Sequence, residues 1–592
     1  MKILGLSCGY HDAAAALVIN GTPHAMAHEE RFSGKKHDAA FPENAINFVL
    51  HKAGITTDDL DRVVFYEKPF VKFERIMKTN LSTFPFAPRA FIQSTKSTFT
   101  EKVWVRELIA RKLTIASEKI RFTEHHLSHA ASAFFASPYE EAAIVTIDGV
   151  GEWAVTTIGK GTGSTIEIIK ELHFPHSIGL LYSAFTAFLG FRVNNGEYKV
   201  MGMAPYGKPI YEDKVREVVS IHDDGSCELD MSYFSFHRST TRTYAKKFEK
   251  LFGPPRKANE KFFTRSTGWP AYFGEKPERK EYDALAERQE HYANIAASIQ
   301  RVTEDAVIKA LQEAHRVTKC DALVMAGGVA LNSVANGKML DATPFKSLYT
   351  QPAAGDAGGA LGAALAVFHA ENPGRPHTTM EHAYYGKSYT NEDVESFLKE
   401  NNITYTQLDD DALIETVSTA IANGKVIGWF HGAAEWGPRA LGHRSILADP
   451  RKKEMKDILN TKIKFREPYR PFAPSVLAEE AEHFFDIPGG AESYPARFML
   501  LVVPVREAVR EKVPAITHVN GTARPQLVLQ RYAPRYHALI KKFFTKTGIP
   551  MVINTSFNLK GEPIANSPKD AHHTFMRSGI DMLVLENYII EK

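Results

Sequence analysis

Three histidines lie in one short stretch of the chain, "FTEHHLSHAASAFFASPYEEAAIVTIDGVGEW", residues 122–153. His125 and His129 are four residues apart, so on a helix their imidazoles project from one face, whereas His126 points elsewhere. The spacing resembles that of HExxH zinc sites, but residue 126 is His where those sites have Glu, so the general base of a metalloprotease is missing. The pair is therefore a candidate for metal binding, with ordinary surface or core histidines as the alternative.

Two aspartates share a glycine-flanked context that favours the metal interpretation. Asp148 follows the apolar strand "AAIVTI", and Asp356 lies in "AAGDAGGA", where the glycines let backbone and ligand approach closely. Two imidazoles and two carboxylates suit iron, manganese or zinc with coordination positions left for a substrate. Spacing alone does not show that His125, His129, Asp148 and Asp356 meet.

The elements around these residues repeat one pattern. The first twenty residues predict a strand, a polar turn and a second strand, with Asn20-Gly21 as a hairpin turn. Residues 142–161, "AAIVTIDGVGEWAVTTIGKG", repeat that order. An internally duplicated fold of the actin and sugar-kinase kind is one interpretation, and two unrelated hairpins are the other.

Further along the chain, helices and glycine turns predict an α/β architecture. A long amphipathic helix is predicted around "YANIAASIQRVTEDAVIKALQEAHR", and strand–glycine–helix units around "DALVMAGGVALNSVANG" and "QPAAGDAGGALGAALAVFHA". The segment "ENPGRPH", residues 371–377, is predicted to link a domain of residues 1–371 to a smaller α/β domain of residues 378–592. In the latter we expect strands in "GKVIGWFHG", "IPMVINTSF" and "DMLVLENYII", and a loop followed by a helix in "GPRALGHRSIL".

Composition excludes several classes of protein. The chain has 592 residues and a formal charge of +3, which argues against a general electrostatic grip on nucleic acid. Its three cysteines, Cys8, Cys227 and Cys320, form no CxxC pair, which argues against a disulfide framework or a thiolate zinc site. No apolar run approaches the roughly 20 residues needed to cross a bilayer. A cytoplasmic enzyme without a membrane partner is expected.

A second group of candidates is cationic and lies in the C-terminal half, within and beyond "AAEWGPRALGHRSILADPRKKEMKDILNTKIKFREPYRPFAPSV". Arginine offers a bidentate fork for phosphate, and a helix starting after Gly437-Pro438 would add N–H donors beside Arg439. The candidates for phosphate contact are Arg439, Arg470, Arg524 and Asn554, with Arg444 and Lys464 as weaker additions. Capping or turn duty is the alternative for each of them.

The motifs "HHLSHAASAFFASPYEEAAIVTIDGVGEW", "YKVMGMAPYG", "AGGVALN" and "AAGDAGGALGAA" resemble the O-carbamoyltransferase family typified by NodU, CmcH and TobZ. The resemblance runs through the whole chain in motif order. It implies an N-terminal Kae-like domain with the actin-like ATPase (ASKHA-type) fold, similar to the metal-dependent subunit of tRNA threonylcarbamoyl transfer. It also implies a C-terminal YrdC-like domain.

What the resemblance implies about chemistry is specific. The C-terminal domain would form carbamoyl-adenylate from carbamoyl phosphate and ATP at Arg439, Arg470, Arg524 and Asn554. The N-terminal domain would bind a divalent metal, usually described as iron, at His125, His129, Asp148 and Asp356, and would hold the adenylate near Asp148, Gly179 and Gly328. There Asp148 would assist transfer to a small-molecule hydroxyl, for example of an antibiotic, another secondary metabolite or a sugar. His11, in the first turn "GYHDAAA", is our candidate for contacting the acceptor or taking its proton, and capping of its own turn is the alternative.

The acceptor is expected to lie against segments without recognisable motifs. Residues 66–104 and 208–280 are irregular and are predicted to form its pocket, and "EERFSGKKH", residues 29–37, is expected to line it. An actin-like small-molecule kinase and a non-enzymatic RNA-binding or scaffold protein are the alternative functions. The near-neutral charge argues against nucleic acid as a partner, and a homo-oligomer is compatible with the sequence.

Overall fold

The structure is a computed structural model that describes residues 1–83, 104–270, 273–467 and 469–592. It contains two compact units. Unit 1 comprises residues 1–26 and 39–379, and unit 2 comprises residues 27–38 and 380–592. The sequence places the division between residues 371 and 378, and the structure additionally assigns a short N-terminal segment to unit 2.

That segment, residues 27–38, contacts a loop of unit 2 that is distant in sequence. The Arg31 guanidinium donates a hydrogen bond to the carbonyl of Gly437 at 2.9 Å, and the Gly437 N–H donates to His28 Nε2 at 3.2 Å. Residues 29–37 fold with unit 2, and the expectation that they line the acceptor pocket stays a prediction.

The strands alternate with helices along most of the chain. The described strands are β1 (Lys2–Ser7), β2 (Ala14–Ile19), β3 (Thr22–His28), β4 (Arg62–Phe65), β5 (Ile120–Phe122), β6 (Glu141–Ile147), β7 (Ala154–Thr162), β8 (Thr165–His173), β9 (Val219–Ile221), β10 (Cys227–Leu229), β11 (Ala322–Ala326), β12 (Ser347–Tyr349), β13 (Thr406–Gln407), β14 (Ile427–Phe430), β15 (Arg444–Ala448), β16 (Ala473–Leu477), β17 (Val503–Pro504), β18 (Thr522–Ala523), β19 (Gln526–Val528), β20 (Met551–Ser556), β21 (Met582–Leu585) and β22 (Tyr588–Glu591).

The helices differ widely in length. The described α-helices are α1 (Glu30–Ser33), α2 (Glu43–Lys52), α3 (Pro69–Ser82), α4 (Val105–Leu113), α5 (His125–Phe134), α6 (Ile178–Phe188), α7 (Glu197–Met203), α8 (Glu212–Val218), α9 (Lys246–Phe252), α10 (Arg279–Thr318), α11 (Ser333–Asn336), α12 (Met339–Ala342), α13 (Asp356–Glu371), α14 (Asn391–Glu400), α15 (Asp410–Ala422), α16 (Met455–Ile458), α17 (Tyr494–Arg497), α18 (Pro534–Thr547) and α19 (Pro568–Met576). Each described helix is too short or too polar to span a bilayer.

Unit 1 contains two five-stranded sheets with the same topology. The first has the order β3-β2-β1-β4-β5, and the second has the order β8-β7-β6-β11-β12. In the first sheet, β1 pairs antiparallel with β2 and parallel with β4. In the second sheet, β6 pairs antiparallel with β7 and parallel with β11 in the same way. The repeated order confirms the predicted α/β class and the duplicated, actin-like arrangement, and excludes two unrelated hairpins.

The hairpin turn of the first sheet also has the predicted geometry. Asn20 and Gly21 have φ values of +51° and +83°, which suit the tight turn between antiparallel strands. Both strands that flank the turn are largely buried.

Unit 2 is built on one eight-stranded mixed sheet with the order β13-β22-β21-β14-β15-β20-β16-β19. The predicted strands at β14 and β20 are confirmed, whereas "DMLVLENYII" forms two antiparallel strands because the chain turns at Glu586, where φ is +49°. The helix predicted in "GPRALGHRSIL" is wrong. Its second half forms β15, which pairs with β14 and β20 and is fully buried between them.

Close packing of two helices fixes the centre of unit 1. A Cβ atom added at Gly362 of α13 would lie 1.7 Å from the carbonyl oxygen of Ser128 in α5. The two backbones therefore approach to a distance that only glycine permits. These helices carry three of the four candidate metal ligands.

We predict that Gly362→Ala lowers the free energy of unfolding by about 1–3 kcal/mol or more, because the methyl group must push α5 and α13 apart. Urea unfolding followed by circular dichroism measures this change. Ala370→Ser, an exposed change on the same helix, is the matched control and should leave the midpoint unaltered. Equal midpoints for Gly362→Ala and the control would contradict the close packing.

Candidate functional site

The four predicted metal ligands come together in unit 1. His125 and His129 occupy successive turns of α5, Asp148 follows β6, and Asp356 is the first residue of α13. The two Nε2 atoms are 3.0 Å apart, and His125 Nε2 is 3.1 Å from Asp148 Oδ2. Asp356 Oδ1 lies 3.6 Å from His129 Nε2 and 3.8 Å from His125 Nε2. All four ligand atoms lie within 4.8 Å of one another.

These separations fit a single divalent cation. With metal–nitrogen bonds of about 2.1 Å, ligands at right angles are about 3.0 Å apart and ligands at the tetrahedral angle about 3.4 Å apart. The distances begin at the right-angle value, 3.0 Å between the imidazoles, and reach 3.9 Å between His129 Nε2 and Asp148 Oδ2, about 0.5 Å beyond the tetrahedral value. The donor set of two imidazoles and two carboxylates suits iron, manganese or zinc.

Electrostatics also favour a cation at this point. Both aspartates are buried or nearly so, and burial by itself raises a carboxyl pKa. The hydrogen bond from His125 and the charges of His129 and His125 outweigh burial and hold the pKa of Asp148 well below its usual value. Burial lowers the pKa of His125, but Asp148 and Asp356 outweigh it and raise the value to about 9. The two carboxylates thus stay ionised and require positive charge beside them.

His126 takes no part in the cluster, as the sequence predicts. Its Nδ1 atom pairs with Thr146 Oγ1 at 2.6 Å. Burial, followed by the charges of His125 and His129, lowers the pKa of His126 to about 3, so the ring is neutral.

Glu152 is a buried contributor that sequence reasoning missed. Both of its carboxylate oxygens accept the main-chain N–H of His125 at 3.0 Å, and Oε1 also accepts the N–H of Lys68 at 2.7 Å. It therefore caps the N-terminus of α5 and fixes the turn that carries the first histidine. The one available signal was its place four residues beyond Asp148 in "DGVGEW".

The two glycines predicted to contact the adenylate lie directly against Asp148. The Gly328 N–H donates to Asp148 Oδ1 at 2.8 Å. A Cβ atom at Gly179 would lie 2.5 Å from the Asp148 carbonyl oxygen, so this glycine allows α6 to begin beside the β6 turn. Both positions bring backbone close to the cluster, and the contact with adenylate itself stays a prediction.

His11 extends from the first hairpin toward the same centre. Its Nε2 atom is 3.6 Å from Asp356 Oδ2, and its Nδ1 atom is 3.0 Å from Asp12 Oδ2. Burial lowers the pKa of His11, but the charge of Asp356 and the contact with Asp12 raise it to about 9. The ring is thus placed to exchange a proton with a group bound at the cluster.

The predicted arginines of unit 2 also meet. Arg524 is half-buried, and burial together with the like charges of Arg439, Arg466 and Arg470 lowers its pKa well below the usual value. Like charges in a partly desolvated place repel one another, and the Glu467 carboxylate, 3.5 Å from Arg470, offsets part of that repulsion. Arg466 is an addition that the sequence did not single out. Arg439 lies in a loop, and no helix begins beside it in the described chain.

Asn554 lies beneath the loop that carries Arg439. Its Nδ2 atom donates to the carbonyl of Ala440 at 3.2 Å, to Ser475 Oγ at 2.9 Å and to Gln526 Oε1 at 3.0 Å. Its Oδ1 atom is buried without a hydrogen-bond partner among the described residues. The side chain therefore braces the loop and retains one unused acceptor.

The two weaker candidates are engaged by the protein itself. The Arg444 guanidinium donates to the main-chain carbonyls of His431 and Lys387 at 2.8 Å each and lies over the ring of Phe430 at 3.7 Å. Lys464 Nζ donates to the carbonyls of Ser556 and Asn558 at 2.6 and 2.7 Å. Both cations hold backbone in place, and we omit them from the phosphate site.

The structure describes only part of the two segments that are predicted to form the acceptor pocket. Residues 84–103 and 271–272, which fall within the segments 66–104 and 208–280, lie outside the described residues. Within the described part, α3 follows β4. Glu152, which caps the helix of His125, also accepts the N–H of Lys68, the residue before α3.

Comparison with known proteins finds two family models that match the chain in order. The carbamoyltransferase N-terminus matches residues 2–365, and the carbamoyltransferase C-terminus matches residues 418–592. An uncharacterised protein of Synechocystis sp. is 43% identical over 100% of this chain and 96% of its own length. The nodulation protein NolNO of Sinorhizobium fredii is 35% identical over 98% of this chain and 79% of its own length.

A relative that is named for its enzymatic activity matches a shorter part of the chain. The 3'-hydroxymethylcephem-O-carbamoyltransferase of Amycolatopsis lactamdurans is 32% identical over 52% of this chain and 56% of its own length.

We predict that His129→Gln reduces the affinity for Fe²⁺ at least about tenfold, because one of two imidazole ligands is lost. Equilibrium dialysis of the full chain with elemental analysis measures the bound metal. His126→Gln changes the neighbouring buried ring, whose Nδ1 pairs with Thr146 and not with the cluster, and is the matched control. Retention of metal by the His129 variant, or its loss in the control alone, would contradict the assignment.

We also predict that Glu152→Leu weakens metal binding about tenfold while Glu152→Gln retains most of it, since only an oxygen acceptor can cap the His125 N–H. The same dialysis experiment applies. Equal affinities for the Leu variant and the unsubstituted protein would show that the cap does not position the histidine.

Proposed function

Because the chain belongs to the carbamoyltransferase family, we propose that it transfers a carbamoyl group, at the expense of ATP, from carbamoyl phosphate to a hydroxyl of a small molecule. The observation that carries this proposal is the convergence of His125, His129, Asp148 and Asp356 at the strand ends of unit 1. Family membership favours a transferase over the two alternatives, an actin-like kinase and an RNA-binding scaffold.

The first half-reaction is assigned to unit 2. Carbamoyl phosphate, water and ATP give carbamoyl-adenylate, phosphate and pyrophosphate, with water supplying the oxygen that leaves on phosphate. The cluster of Arg439, Arg466, Arg470 and Arg524 supports this assignment, because several phosphate groups repel one another unless fixed cations lie between them. Asn554 supports the loop beneath them.

The second half-reaction is assigned to unit 1. The acceptor hydroxyl attacks the carbamoyl carbon, the bond to the adenylate phosphate breaks, and a carbamate ester and AMP are formed. A divalent cation, for which we propose Fe²⁺, supplies Lewis acidity toward the carbamoyl oxygen when it is bound by the four ligands. The glycine backbone at Gly179 and Gly328, which lies directly against Asp148, leaves room for the adenylate beside this centre.

We assign to His11 the role of base, which accepts the proton of the acceptor hydroxyl. Asp12 contacts Nδ1 and orients the ring, leaving Nε2 toward Asp356 and the cluster. With a cation held by Asp148 and Asp356, the charges that raise the pKa of His11 would be partly neutralised, and the ring would be free to accept a proton. Positioning by Asp12 follows the general pattern of a base oriented by a third group.

The acceptor is proposed to be a small hydroxylated metabolite or sugar. NolNO is a nodulation protein, and the Amycolatopsis relative is a cephem O-carbamoyltransferase. The activity named for the Amycolatopsis relative, O-carbamoyl transfer to a hydroxymethyl group, supports an alcohol acceptor for this chain.

The two-site division of labour predicts different effects of two substitutions. His129→Ala should keep the ATP–pyrophosphate exchange that requires carbamoyl phosphate and should lose carbamoyl transfer, whereas Arg524→Gln should lose exchange by about a hundredfold or more. Exchange of labelled pyrophosphate and AMP release are the measurements. Lys453→Gln, an exposed lysine of unit 2, is the control. Loss of both activities in a folded His129 variant would refute the division.

A further inference from the structure

Helix α3 buries a cation and exposes apolar side chains, which reverses the usual pattern. Arg75 is 8% exposed, whereas Phe70 and Leu81 on the same helix are 67% and 64% exposed. Arginine is rarely buried unless it has a partner, because desolvation of the guanidinium is costly. The inward position of Arg75 therefore needs a cause.

Arg75 makes no hydrogen bond or ion pair to the described part of the chain, and its Nε atom is fully buried. It lies over the ring of Phe174 at 5.0 Å. The nearest carboxylates are engaged elsewhere. Glu67 accepts from Lys72 Nζ at 2.6 and 2.9 Å, and Glu152 accepts the N–H groups of Lys68 and His125. A fork of five N–H donors thus stays without an acceptor.

Arg75 remains charged at neutral pH. Burial lowers its pKa to about 10, while the charges of Glu67, Tyr10 and Glu152 raise it. A planar cation of this kind recognises a carboxylate or a phosphate through paired hydrogen bonds.

The surroundings of Arg75 connect it to the reaction centre. The rings of Tyr10 and His11 are 4.6 Å apart, and His11 Nε2 lies 3.6 Å from Asp356. Lys72, one turn before Arg75 on α3, lies over the Tyr10 ring at 5.6 Å. Glu152, whose charge acts on Arg75, caps the helix of His125. Neighbouring groups thus lead from Arg75 and Lys72 through Tyr10 and His11 to Asp356, with Glu67 paired to Lys72 beside them.

We infer that Arg75 binds an anionic group of the acceptor, so that the acceptor is an alcohol that also carries a carboxylate or a phosphate. This inference rests on the proposed function and specifies its substrate class. Sugar acids and sugar phosphates are examples, with the rings of Tyr10 and Phe174 beside the bound molecule. The phosphate of carbamoyl-adenylate is the other anion that could reach unit 1, and the experiment separates the two.

The test compares paired alcohols that differ in one charge, namely glucuronate with glucose and N-acetylglucosamine 6-phosphate with N-acetylglucosamine. Acceptor-stimulated AMP release is measured in the full chain supplied with Fe²⁺, ATP and carbamoyl phosphate. We expect the charged member of at least one pair to be preferred about tenfold or more, and Arg75→Gln to abolish that preference. Arg75→Lys should keep part of it, and Arg111→Gln, an exposed arginine of α4, should keep all of it.

Three results would overturn the inference. The first is the absence of a preference for the charged member in both pairs, and the second is survival of the preference in Arg75→Gln. The third is a loss of AMP release in Arg75→Gln that is equal for charged and uncharged acceptors, which would assign Arg75 to the nucleotide phosphate. If the unsubstituted protein shows no ATP–pyrophosphate exchange that depends on carbamoyl phosphate, the proposed function itself is refuted.

An acceptor-independent measurement addresses a purely structural role. If the role of Arg75 is to bind an anion of the acceptor, Arg75→Met should leave the thermal midpoint of the ligand-free protein unchanged or raise it, because a buried unpaired charge is removed. A clearly lower midpoint than that of Arg111→Gln would show that Arg75 stabilises the fold, and would overturn the inference.

Discussion

The structure of unit 1 depends on holding two ionised carboxylates together in a largely desolvated place. Asp148 and Asp356 repel each other, and burial penalises both charges. Imidazoles at 3.1 and 3.6 Å and the Gly328 N–H at 2.8 Å offset part of that cost. A divalent cation among the four ligands would offset the rest of that cost.

The fold supplies this arrangement through backbone contacts that only small residues allow. The duplicated sheets place Asp148 at the end of β6, and α13 presents Asp356 at its first turn. Gly362 lets α13 approach α5 closely enough for the histidines and Asp356 to share one centre. In unit 2 the charges of neighbouring guanidinium groups act on Arg524, and together with burial they lower its pKa well below the usual value. The two units thus differ in the sign of the charge that their candidate sites concentrate.

Local patterns in the sequence predicted a large part of this account. The spacing of His125 and His129, the turn at Asn20-Gly21 and the repeated strand–turn–strand order depend on neighbouring residues, and all appear in the structure. The β15 strand was mistaken for a helix, because its pairing with β14 and β20 decides its conformation.

Contacts between distant residues could not be predicted in the same way. Glu152 caps a residue 27 positions earlier, and Arg31 contacts a carbonyl 406 positions later. No local periodicity marks either contact. Arg75 was likewise hidden within an apparently irregular segment, because its burial becomes visible only when α3 packs beside Phe174.

X-ray absorption spectroscopy of the Fe²⁺-loaded protein tests the central claim most directly. The account predicts one iron per chain with nitrogen and oxygen ligands at about 2.0–2.2 Å, together with the outer-shell scattering of two imidazole rings. A spectrum without imidazole scattering, or one that is unchanged when His125 and His129 are both replaced, would contradict it.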